Sequence, residues 1–301
     1  MRILLVANKT YRGLPDSILW YFWEPMTKLG HEVYLYDTVM GSEDGSFNEV
    51  VEGFVPDLIF CILTGNRFIT PHEPWPELLE ITKQGRFRTF NWYCDDTWRF
   101  KAFSSISCNH FHVCSTPERS YVQKYKEIGY DNIIVANWHA NVDWFPKIQF
   151  KDKEIETSFI GAPNASRQRF FDLAEVDVEY FYGLSQKDLF NTYSNSKLSI
   201  NLSVNNNDPD KKSQMKQRLF EVPAGAGMLV TEHHEGIEEY FDINREIVTF
   251  STINEFREKM NFFAKKPQIV EKIATAGHER FLKEHESQVR IKKVLEEIMA
   301  K

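Results

Sequence analysis

Two carboxylates stand side by side in the run Trp92-Tyr93-Cys94-Asp95-Asp96-Thr97-Trp98-Arg99-Phe100. Adjacent carboxylates repel, so one of them keeps its proton to higher pH and can serve as a general base near neutrality. In the plainer reading, Asp96 caps a helix and Arg99 pairs with Asp95. A second stretch, Phe159-Ile160-Gly161-Ala162-Pro163-Asn164-Ala165-Ser166-Arg167-Gln168-Arg169, passes from strand through glycine into a helix start that carries two arginines. Helix amides together with guanidinium groups make a cradle for a diphosphate. A third stretch, from Gln214 to Thr231, brings Lys216 and Arg218 close to Glu221, then enters the small-residue turn Ala224-Gly225-Ala226-Gly227. The cations suit phosphate, and the carboxylate suits the paired hydroxyls of a ribose. On a regular helix Lys216 and Arg218 would point about 200° apart, so they would not share one ligand. The fourth stretch, Asn8 to Pro15, holds one glycine, Gly13. A dinucleotide fingerprint needs three, so an NAD site is disfavoured there, although the following helix start can still receive an anion.

These stretches all follow predicted strands. Apolar runs predict strands at 2–7, 31–36, 57–63, 87–94, 110–114 and 132–136, with helices at 16–29, 75–84 and 117–128 between them. The pattern then restarts after a polar segment at 141–157. Strands are expected at 157–160, 178–182, 197–204, 228–231 and 246–250, with helices at 165–175, 185–195, 214–222 and 235–240 and a loop at 205–213. A charged helical tail follows from 253, broken near Pro267 and Gly277. The alternation predicts an α/β fold of two doubly wound parallel sheets. The first domain is expected at 1–145 and the second at 146–301, with the last helix packing back on the first domain. Two such domains imply a cleft, with ligands beyond the carboxyl ends of the strands.

Composition narrows the function classes. The chain has 301 residues, 36 Lys+Arg against 43 Asp+Glu, and a formal net charge of −7. That balance makes nucleic acid an unlikely partner, because phosphate backbones demand cations. The four cysteines, at 61, 94, 108 and 114, have neither the density of a disulfide scaffold nor the CxxC spacing of a zinc site. A reducing cytoplasm is therefore expected. No eighteen-residue apolar run predicts a membrane span, and the short apolar start stops at Asn8-Lys9, too early for a secretory signal. No cofactor and no metal are expected, and the adjacent His233 and His234 read as surface residues.

The stretch Gln214–Thr231, followed by Glu235-Gly236-Ile237-Glu238-Glu239-Tyr240-Phe241 and Glu246-Ile247-Val248-Thr249-Phe250, resembles the C-terminal domain of the CgeB-like glycosyltransferases of the spore-maturation type. The Ala276-Gly277-His278-Glu279-Arg280 run resembles the ending of that family, and Asp95-Asp96-Thr97-Trp98-Arg99-Phe100 resembles its first domain. The resemblance implies a GT-B fold of two Rossmann-like domains and a nucleotide-sugar donor held mainly by the second. It assigns Glu221 to the donor ribose and Lys216 or Arg218 to phosphate; Gly161 and Arg167 join the expected donor set from their own strand-to-helix pattern. Asp95 and Asp96 become the catalytic pair, and Gly13, Trp98 and Arg99 the acceptor or cleft side. The acceptor would be a glycan or small-molecule hydroxyl. Many relatives carry a second glutamate where this chain has Ser213. That departure keeps two alternatives open. A nucleotide-sugar epimerase of the same fold would convert its donor without an acceptor. A non-catalytic sugar-nucleotide-binding protein would bind the donor without hydrolysing it.

Overall fold

The computed structural model describes residues 1–11, 13–204 and 213–301; Arg12 and all but the last residue of the predicted loop at 205–213 lie outside the described residues. The described chain forms two compact units. The first comprises Met1–Asn137 and Ser287–Lys301, the second residues 138–204 and 213–286.

The first unit is built on six parallel strands: β1 (Arg2–Ala7), β4 (Glu32–Asp37), β5 (Leu58–Cys61), β6 (Arg88–Trp92), β7 (Val113–Thr116) and β8 (Ile133–Val135). Their order is β4-β1-β5-β6-β7-β8. Ile3 to Ala7 and Leu58 to Cys61 are wholly buried, as strands covered by helices on both faces must be. The chain moves one way from β1 to β4 and the other way to β5, which sets the topological switch point between β1 and β5. A small hairpin, β2 (Thr10–Tyr11) with β3 (Leu14–Pro15), occupies the loop after β1. Gly13 turns it at φ +77°, where a side chain would strain the backbone.

The predicted helix at 16–29 appears as a π-helical segment, Leu19–Trp23, leading into α1 (Glu24–Lys28). The longest helix of this unit absent from the sequence reading is α2 (Phe47–Phe54). Ser46 and Glu49 form a capping box at its start, and Phe47, Val50 and Val51 bury its apolar face. The remaining helices of this unit are α3 (Trp75–Gln84), α4 (Asp96–Arg99), α5 (Ser105–Ser107) and α6 (Arg119–Glu127).

The second unit carries five parallel strands: β9 (Ile155–Ile160), β10 (Glu179–Phe181), β11 (Ser196–Asn201), β12 (Met228–Glu232) and β13 (Val248–Phe250). Their order is β10-β9-β11-β12-β13, so the switch point lies between β9 and β11. Helices α7 (Ala165–Ala174), α8 (Gln186–Asn195), α9 (Arg218–Ala224), α10 (Ile253–Phe263) and α11 (Pro267–Glu284) cover the sheet. The final helix, α12 (Ser287–Ala300), belongs to the first unit; it packs on α1, and its Ile298 carbonyl accepts from Arg88 Nη2 at 3.0 Å.

The change of unit comes at 137/138, earlier than the 145/146 boundary read from the sequence. Residues just after it dock on the second unit: Phe145 packs against Phe190 at 4.7 Å between ring centroids, and Ala140 bridges to Glu286. Polar composition marked 141–157 as a linker, but its few apolar residues fix it to that unit.

One glycine reading differs from the sequence expectation. Helix α11 runs through Gly277 without a break. A side chain there would overlap the Glu246 carbonyl oxygen, so the glycine serves close packing rather than helix termination. The substitution Gly277→Ala is expected to destabilise the protein by about 1–3 kcal/mol, checked by the urea midpoint with unchanged m-value. The turn after α9 behaves similarly. A Cβ at Gly225 would lie 2.9 Å from the Tyr193 backbone, and one at Gly227 2.9 Å from the Ser196 carbonyl. The small residues here let α9 approach α8 and β11; they are a packing device.

Candidate active site

In open parallel sheets, ligands collect at the switch point beyond the carboxyl ends of the strands. In the second unit those ends are Ile160-Gly161 and Asn201. Two guanidinium groups meet there. A Cβ at Gly161 would lie 3.0 Å from Arg218 Nη2 and 3.2 Å from Arg167 Nη1. Both cations also sit against the Phe159 ring, at 5.6 Å for Arg218 and 5.5 Å for Arg167. The absent side chain at Gly161 leaves room for both.

Each arginine is held from behind. Arg167 Nη1 donates to the Ala162 carbonyl at 2.6 Å, while Asn164 caps α7 by accepting from the Arg167 amide at 2.9 Å. Arg218 Nη1 donates to Asn201 Oδ1 at 3.2 Å. Burial, and then the charge of Arg218, push the Arg167 guanidinium below its ordinary pKa. Two like charges with a helix N-terminus beside them can receive an anion.

Glu221 is buried in α9, one turn beyond Arg218. Tyr193, wholly enclosed, feels both: burial and the Glu221 charge raise its pKa, while Arg218 hydrogen-bonds its hydroxyl and opposes that shift. Lys216 stands ahead of α9, whose first residue is Arg218 rather than Gln214. The Lys216 carbonyl accepts from the Leu219 amide at 3.0 Å. The helical spacing argument that set Lys216 apart from Arg218 therefore does not apply.

Neighbouring strand ends contribute further polar groups. The Glu232 carboxylate, at the end of β12, accepts from the Ser203 hydroxyl at 3.1 Å and the Val204 amide at 3.2 Å. Ser213 Oγ lies 2.8 Å from His234 Nδ1. His234 is buried, which corrects its reading as a surface residue; His233 is exposed and meets Glu238. The buried Lys153 donates to the Ser194 and Gly225 carbonyls, where α8 and α9 end. Burial alone lowers its pKa to about 8, and the two helix C-termini favour its charge.

The first unit places the paired carboxylates differently from one another. Asp95 precedes α4 and is partly exposed, its carbonyl accepting from the Trp98 and Arg99 amides at 3.2 and 2.9 Å. Asp96 is wholly buried. Its Oδ2 accepts from the Tyr125 hydroxyl at 3.0 Å, and Oδ1 has no hydrogen-bond partner among the described residues. Burial raises its pKa from 3.8 to about 6 against the opposing hydroxyls of Ser104, Thr116 and Tyr125. Arg99 donates to the Thr64 carbonyl and lies over the Phe103 ring at 4.2 Å. It thus holds the loop after β5, at this unit's own switch point, and the Trp98 ring lies 5.6 Å from the same guanidinium. Gly13 is exposed on the hairpin.

Among the described residues no group of three or more His, Cys, Asp or Glu is placed to hold a metal ion, and no helix is long and apolar enough to cross a membrane.

Two Rossmann-like units with these strand orders define the GT-B fold, the architecture of a large class of glycosyltransferases. Residues 147–296 match the family described as glycosyl transferase-like. No curated protein matches the chain. Among solved structures, sucrose-phosphate synthase from Thermosynechococcus elongatus superposes with a TM-score of 0.67 at 9% identity over 100% of both chains. Anabaena HepE in complex with UDP-glucose gives 0.66 at 10% identity, again over 100% of both. A glycosyltransferase from Rickettsia africae gives 0.62 at 12% identity, covering 99% of this chain and 97% of that one. At such identities the likeness carries the fold.

Proposed function

We propose that this protein transfers a sugar from a nucleotide-diphosphate sugar to an acceptor hydroxyl. The observation that carries the reading is the meeting of Arg167 and Arg218 at Gly161, on the switch point of a glycosyl transferase-like unit. Charge builds on the diphosphate as the glycosidic bond breaks, and two fixed guanidiniums with the α7 amides stabilise it there without a metal. Glu221 is the proposed ribose ligand and Lys216 a further phosphate contact. UDP-sugars are the first donors to try, since HepE was solved with UDP-glucose. Whether the sugar is a hexose or a pentose follows from that screen. The stretch from 214 to 250 supports membership of the CgeB-like group.

On the acceptor side, Asp95 is the proposed base. It is partly exposed, whereas Asp96 is enclosed and cannot meet an acceptor in this conformation. Gly13, Trp98 and Arg99 are proposed to flank the acceptor. Calorimetry with UDP, ADP, GDP and TDP tests the donor site, and incubation with the matching sugar nucleotides tests the chemistry. Slow donor hydrolysis is expected in the absence of acceptor. Conversion of one sugar nucleotide to its epimer would select the epimerase instead, and binding with no turnover of any donor would select the non-catalytic reading.

A further inference from the structure

We infer that Asn201 is a positioning residue that aims Arg218 at the donor diphosphate without cancelling its charge, and that Thr231 fixes which way the Asn201 amide points. The inference rests on the donor reading above. Asn201 closes β11 and is 3% exposed; Thr231 lies beside it on β12 and is 1% exposed. The Thr231 hydroxyl donates to the Glu232 carbonyl at 3.1 Å, so its proton is used. What it still offers is a lone pair, and Asn201 Nδ2 donates into it at 2.9 Å. With the amide nitrogen committed to Thr231, the amide oxygen must face the other way, where it accepts from Arg218 Nη1 at 3.2 Å. The order of donors and acceptors runs one way along Arg218, Asn201, Thr231 and the Glu232 carbonyl, and no member can reverse without leaving a buried group unmatched.

The choice of an amide has an electrostatic meaning. A carboxylate at 201 would hold the guanidinium more strongly, but as an ion pair that competes with phosphate. An amide oxygen orients the fork and leaves the full positive charge beside Gly161. An alkyl side chain would leave Arg218 free to swing from the neighbouring charge of Arg167.

Binding of UDP, inorganic pyrophosphate and uridine to the wild type and to Thr231→Val, Thr231→Ser and Asn201→Asp tests this by calorimetry. Thr231→Val is expected to weaken UDP and pyrophosphate about tenfold, the size of one charge-assisted hydrogen bond, with uridine affinity unchanged and Tm lowered, because the buried Asn201 amide loses its acceptor. Thr231→Ser, which restores the hydroxyl, should return both to within about twofold of wild type. Asn201→Asp should weaken pyrophosphate at least as much as Thr231→Val. The relay is overturned if Thr231→Val binds UDP and pyrophosphate as wild type does, if it loses uridine in the same proportion, or if Asn201→Asp keeps wild-type pyrophosphate affinity. A wild type that binds pyrophosphate but no nucleotide diphosphate overturns the donor reading alone, and the pyrophosphate series still decides the relay. A wild type that binds neither overturns both.

Discussion

Replacing Arg218 by alanine should lower affinity for a nucleotide diphosphate about a hundredfold at little net cost in stability, because relief of the Arg167 charge offsets the lost bonds to Asn201 and Tyr193. The two halves of this expectation come from the same contacts. Arg167 and Arg218 share the space beside Gly161, and the Arg218 charge depresses the Arg167 pKa. In the empty site the two cations repel, so removing one relieves the other. A bound diphosphate reverses that sign, because each guanidinium can donate two hydrogen bonds to it, and bonds to charged groups contribute about 1.5–3 kcal/mol each. Arg218→Lys should fall between, since the ammonium keeps the charge but loses the planar fork. Calorimetry with UDP and a denaturant midpoint on the same samples check the pair of signs. A variant that loses stability and affinity together would show Arg218 to be a structural residue.

Asp96→Asn should stabilise the protein above pH 6 and flatten its stability profile below that. The native pKa of about 6 lies above the ordinary value of 3.8, so between these values the folded state binds more protons than the unfolded chain. Stability then falls as pH rises from about 4 to about 6, and the loss is complete above the folded pKa. Its size is about 3 kcal/mol, from two pKa units at about 1.4 kcal/mol each. Asparagine has no charge to desolvate, and its carbonyl can still accept from Tyr125. Urea midpoints from pH 4 to 8 check this: the difference between wild type and Asp96→Asn should open across that interval and stay constant beyond it. Transfer activity should survive the substitution, because Asp95 is the proposed base. Loss of activity in a stabilised Asp96→Asn would return that role to Asp96.

Sequence periodicity revealed the strands because burial on both faces leaves a plain record. Ile3 to Ala7 and Leu58 to Cys61 read as apolar runs and are wholly buried. Helix α2 left a fainter one. Asn48, Glu49, Glu52 and Gly53 dilute its apolar face to Phe47, Val50 and Val51, although the Ser46 and Glu49 capping box was there to be read. Glycine was ambiguous for a physical reason: Gly85 ends α3 at φ +64°, whereas Gly277 sits inside α11 to make room for Glu246. The site was legible as far as residue type and strand end allow. Gly161, Arg167 and Arg218 were among the candidates and do come together. Asn201 and Glu232 were not, because a lone amide or carboxylate at a strand end gains meaning only from its neighbours across the sheet. Strand order is a long-range property, and local pattern does not encode it. Exposure divides Asp95 from Asp96 for a similar reason, since Tyr125, which covers Asp96, lies 29 residues further on.

The return of α12 to the first unit has a consequence for the order in which the protein is made. A chain emerging from the ribosome offers Met1–Asn137 first, yet that unit includes Ser287–Lys301. Until those residues emerge, the surface that receives Ile291, Leu295 and Ile298 stays open and Arg88 lacks its Ile298 carbonyl. The second unit, begun later, can close first. The half that starts the chain is the half that must wait, with an apolar seat that chaperones can hold and that a nascent chain stalled near residue 286 would leave exposed.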